Sequence, residues 1–93
     1  MFVGTVVFDL NLSGVTSLKE KRRMLKPFLA RLQNQFHISI AEVGYNDSLR
    51  MAQVGVAVVS NERTFADRMI AQIVNNVRNE PEIILADYRV EIL

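Results

Sequence analysis

Six of the chain's eleven cations, Lys19, Lys21, Arg22, Arg23, Lys26 and Arg31, fall in thirteen consecutive residues, with Glu20 the single acid among them. The segment 19–31 therefore sums to +5, residues 1–18 to −1 from Asp9, and residues 32–93 to −3 from five bases and eight acids, so the net charge of +1 conceals a strong asymmetry. On a helix, Lys19, Arg22, Arg23 and Lys26 gather on one flank, because positions three and four apart are neighbours. A flank of one sign fits the evenly charged backbone of a nucleic acid, and the free amides of a helix N-terminus favour anions as well. The opposing reading is a solvated face: basic side chains beside an apolar stripe lay their methylenes over it and keep their heads in water, while Glu20 pairs within the helix.

Other chemistry is poorly supplied. With no Cys there is no disulfide, thiolate nucleophile or cysteine metal site, and the single histidine, His37, excludes a histidine cluster. His37 follows Phe36 without a Ser or Cys nucleophile motif and reads as a structural or surface residue rather than a general base. Glu42, between Ala41 and Val43, reads as an edge-strand charge that discourages unwanted pairing, or as the partner of a basic helix residue, rather than as a pKa-shifted acid. No P-loop, dinucleotide fingerprint or pair of acids is present. The expectation is a protein that is not an enzyme and uses no cofactor and no metal.

The elements that must position these residues follow from periodicity. Phe2–Leu12 alternates with period two, Phe2, Gly4, Val6, Phe8, Leu10 and Leu12 on one parity, and predicts a strand; Ser13–Thr16 is a loop. Ser17-Leu-Lys-Glu20 is a capping box in which the Ser17 hydroxyl accepts from the amide three residues on and Glu20 reaches back to the Ser17 amide. Behind it Leu18, Leu25, Phe28, Leu29, Leu32 and Phe36 make one helical stripe. Pro27 removes the bond to the Arg23 carbonyl and predicts a kink, but the stripe keeps its register across it and favours one helix over two. A strand over His37–Tyr45 changes its apolar parity midway, which predicts a bulge or a switch of faces. After the turn Asn46–Ser48 come a strand over Leu49–Val59, a helix over Glu62–Arg78 capped by Asn61, the stop Asn79–Glu82, and a last strand over Ile83–Leu93.

The order strand, helix, strand, strand, helix, strand, with two right-handed crossovers, predicts one α+β domain over residues 1–93. It is a ferredoxin-like βαββαβ sandwich, a four-stranded antiparallel sheet with both helices on one face. Ninety-three residues and 49% apolar composition suit a single core and exclude global disorder. The N-terminal apolar run ends at Asp9 and has no cation before Lys19, so neither a leader nor a spanning helix is expected, and the expected location is cytoplasmic. The uncovered sheet face should carry Val3, Thr5, Val7, Ala57, Leu85 and Arg89. RNA-recognition motifs of this topology stack bases on outer-face aromatics of the first and third strands. Here Arg50–Ala57 has no aromatic, and Phe2 and Phe8 are on the inner parity, so that mode is excluded. Acylphosphatases share the architecture but bind phosphate with an Arg after the first strand, where Ser13-Gly-Val-Thr16 has none; such phosphate chemistry is the weakest alternative.

At Ser17-Leu-Lys-Glu-Lys-Arg-Arg23 the chain resembles the YlxP-like proteins, a bacterial family defined by a domain of unknown function. Val3-Gly4, Ile38-Ser-Ile-Ala-Glu-Val43, Gly55-Val-Ala-Val-Val-Ser-Asn-Glu-Arg63 and Val90-Glu-Ile92 extend the resemblance over nearly the whole chain. The resemblance implies a ferredoxin-like fold, a gene context beside transcription, translation-initiation and ribosome-assembly factors, and no catalytic residue. Together with the charge layout it leads to the expectation of an accessory module that meets structured RNA or a ribosomal particle through Lys19, Lys21, Arg22, Arg23 and Lys26. The alternative is a homodimer or other protein-interaction module that uses the open sheet face or an edge strand and has no nucleic-acid role.

Overall fold

Alternation and helical periodicity are realised in sequence order. The computed structural model describes residues 1–93 and contains β1 (Phe2–Leu12), α1 (Leu18–Phe36), β2 (Ser39–Gly44), β3 (Met51–Ser60), α2 (Arg63–Arg78) and β4 (Ile83–Ile92). The strands form one sheet in the order β2-β3-β1-β4, every pair antiparallel, as the βαββαβ reading requires. Across the sheet, Phe8 stands between Val54 and Tyr88, and Leu10 between Ala52 and Leu85. Val6, Phe8, Leu10, Ala52 and Val54 are fully buried beneath Leu25, Phe28 and Leu32 of α1 and Ile70, Ile73 and Val77 of α2, so both helices cover one face. At Gly4 the second helix lies close over the sheet, since a Cβ there would stand 2.6 Å from Ile70 Cδ1. No helix is long and apolar enough to cross a membrane.

The first helix runs unbroken through Pro27, which lacks the N–H to reach the Arg23 carbonyl. It ends at His37, in the left-handed region at φ +52°, whose N–H donates to Gln33 O at 2.9 Å. The expected strand start at His37 is therefore a helix terminus, and β2 begins at Ser39. Glu62, not Asn61, occupies the N-cap of α2, with its N–H donated to Ser60 Oγ at 3.0 Å.

Two bulges reset side-chain parity. In β2 the register steps from Glu42↔Val54 to Gly44↔Gln53, so Val43 is the extra residue and points to solvent while Glu42 stays on the helix side with Ile40. In β4 it steps from Asp9↔Asp87 to Leu10↔Leu85, leaving Ala86 unpaired. The expectation that Leu85 lies on the open face is thereby corrected: Leu85 packs inward and Ile84, 60% exposed, takes the outer position.

Candidate nucleic-acid interface on the first helix

The N-terminus of α1 is fixed before its cations begin. Ser17, extended, accepts the Glu20 N–H on Oγ at 3.1 Å. The Glu20 carboxylate accepts from the Thr16 N–H at 2.8 Å and from the Thr16 hydroxyl, one residue farther back than the capping box predicts. These two Thr16 bonds, with a smaller contribution from the Arg23 charge, hold the Glu20 carboxyl below the usual range for glutamate. Glu20 is thus turned toward the preceding loop, where its charge favours the helix dipole.

Downstream, Lys19, Arg22, Arg23 and Lys26 are all exposed and sit at i, i+3, i+4 and i+7, a rhombus on one face of the helix. The ion pairs of the molecule engage only Lys21, Arg31 and Arg89 among the cations, so these four make no salt bridge, and Arg23 acts on Glu20 only at longer range. At 1.5 Å rise per residue the rhombus spans about 10 Å, roughly three phosphate steps along one strand of a duplex.

Two of the six clustered cations are spent internally. Lys21 was expected among the outward contacts, but it is 2% exposed, and the correction has a plain cause. Lys21, Leu25, Phe28 and Leu32 are spaced four, three and four apart, so Lys21 lies within the apolar stripe. Its Nζ donates to Tyr45 O and Ser48 O, both at 2.7 Å, and stands 3.1 Å from Glu42 Oε2. That oxygen is buried and accepts no directed hydrogen bond, so the ammonium supplies its compensation. Glu42 is accordingly the partner of a basic helix residue, as one sequence reading held. Arg31 pairs with Glu80 and lies over the Phe28 ring, 5.5 Å from its centroid. The helical phase of Lys21 against Leu25 and Phe28 was the signal that could have separated it from its neighbours.

The remaining candidates do not join this face. His37 is an exposed helix terminus. The open sheet face presents Thr5, Val7 and Asp9 of β1 beside Ala57, Gly55 and Gln53 of β3, with no aromatic among them, so it offers no stacking platform. Asp9 there accepts from Gln53 Nε2 at 2.9 Å and from Arg89 at 3.2 Å, and the Gln53 bond first, then Arg89, holds its carboxyl below the usual aspartate range.

Residues 3–90 match the sequence profile of a family described as "Protein of unknown function (DUF503)". The chain is similar to a Bacillus subtilis (strain 168) protein described as "Uncharacterized protein YlxP", at 40% identity over 67 residues, covering 72% of this chain and 73% of that one.

Proposed function

Because the chain belongs to the DUF503 family, whose description assigns no activity, we propose a function from its geometry: a binding module that meets the phosphate backbone of a structured RNA, free or within a ribosomal particle, through α1. The observation that carries this reading is the rhombus Lys19, Arg22, Arg23 and Lys26, four exposed cations on one helix face that make no salt bridge. Neighbouring like charges destabilise a helix by a few tenths of a kcal/mol per pair, so an outside polyanion gains what the fold leaves uncompensated. Recognition is by charge and shape, without base reading, because the outer sheet face has no aromatic to stack on.

The test is titration of the protein with a fluorescent RNA hairpin at several salt concentrations. Neutralising about four phosphates gives a slope of log K against log salt of roughly −3. Replacing Arg22 and Arg23 together by Glu is expected to abolish association and to leave the unfolding temperature within a few degrees. Binding without a salt slope, binding unchanged in that double variant, or a salt-insensitive dimer with no RNA affinity rejects the reading.

A further inference from the structure

The flank of α1 that carries Arg22 and Lys26 is exposed and stands beside the edge of the sheet. Between helix and edge runs a groove of about 370 Å³ with Leu25, Leu29 and Ile40 as its floor, Arg22 and Lys26 along one rim, and Glu42 at one end. The strand beneath it, β2, pairs only with β3. Alternate N–H and C=O groups along its six residues therefore point outward with no ladder partner. Such edges are normally blunted by an inward charge. Here the inward charge is Glu42, and Lys21 balances it, leaving Arg22 and Lys26 as a net +2 over the edge. An open edge, an apolar floor and an unbalanced cationic rim occur in one place.

We infer that this groove takes an extended acidic segment of a partner protein, which adds to β2 as a fifth strand. Strand addition gains its affinity from main-chain bonds and its specificity from the side chains that alternate inward. An inward residue of the segment lying beside Ile40 meets Leu29 and is apolar; the inward residue two positions away lies toward Glu42 and meets Arg22 and Lys26, and is Asp or Glu. The recognised pattern is thus one apolar and one acidic side chain spaced i and i+2. A second copy of this chain is the wrong occupant, because pairing β2 with β2 sets the Arg22 and Lys26 flanks of both copies side by side and like charges repel. The inference goes beyond RNA binding and couples to it: Arg22 and Lys26 serve both ligands, so the segment and RNA compete.

The test is an NMR titration of the full chain with the blocked peptide acetyl-Thr-Val-Thr-Glu-Thr-Val-Thr-amide, with its Glu→Lys counterpart as the control. The acidic peptide is expected to shift the amides of Ser39–Gly44 and to slow exchange of the outward ones; the Lys peptide is expected to bind about tenfold more weakly or worse. Leu29→Ser is expected to cost the peptide about tenfold while RNA affinity stays within twofold. Replacing Lys19 and Arg23 by Glu should do the reverse, so either reading can fail alone. Should Leu29→Ser weaken the fold, Ala30→Glu, an exposed change that lines the groove outside the rhombus, supplies the same loss of peptide affinity. Absence of β2 shifts at millimolar peptide, equal binding of the Lys peptide, or β2 shifts that only RNA produces would overturn the proposal.

Discussion

At the scale of single residues, the first helix divides six similar cations into two jobs by phase alone. The four at i, i+3, i+4 and i+7 face outward, while Lys21, two positions beyond Lys19, points into the core and closes the β2–β3 turn through two carbonyls and Glu42. Removing one partner of a buried pair leaves the other uncompensated, which is costlier than the pair is stabilising. Lys21→Met is therefore expected to cost about 3 kcal/mol in denaturant unfolding, and the double variant Lys21→Met, Glu42→Leu is expected to recover much of it. RNA affinity of the folded Lys21→Met protein should stay near that of the parent, since Lys21 offers nothing to solvent; a tenfold loss would return it to the outward set. The density of positive charge was legible in the sequence. Its division was legible only by weighing each cation's angle against the apolar stripe, because composition does not carry phase.

Elements were legible where periodicity was long and less so where the backbone turns over. The stripe Leu25, Phe28, Leu29 and Leu32 specified one helix despite Pro27, because burial of a continuous face outweighs one missing hydrogen bond. Boundaries set by a left-handed residue were not visible: His37 looks like a strand residue beside Ile38 and Ile40, yet it ends the helix at φ +52°. The bulge in β2 was foreshadowed by its change of apolar parity, whereas that at Ala86 was hidden, because Ile84 and Leu85 are equally apolar and either can face the core. A helix end in the left-handed region favours glycine. His37→Gly is expected to raise stability by about 1 kcal/mol, offset in part by the larger entropy of the unfolded chain. Thermal unfolding measures it, and a loss of stability would show that the exposed imidazole makes a contact the fold depends on.

For the whole molecule, three strands of ten or eleven residues accompany overall dimensions of 42 × 20 × 18 Å, with one end of α1 holding the uncompensated positive charge. The antiparallel sandwich was readable in the order of elements, but the β2-edge groove was not, since it forms only when α1 and β2 are set side by side. If the rhombus is reserved for an outside ligand, it is a burden on the isolated fold, and its four neighbouring like pairs oppose helix formation. Salt then acts in opposite directions on the two properties. Raising it from low to moderate ionic strength screens the rhombus and should raise the unfolding temperature by about 1–3 °C, while the same change weakens RNA binding by more than tenfold. Exposed pairs such as Arg31–Glu80 also lose strength in salt, but one such pair contributes little. In the variant with Arg22 and Arg23 replaced by Glu, the like pairs become opposite pairs, so the thermal trend should vanish or reverse along with the binding. Parallel scanning of melting temperature and RNA affinity against salt distinguishes the cases: a melting temperature that falls with salt in the parent protein would mean that these cations stabilise the fold from within, and would remove the reason to assign them a partner.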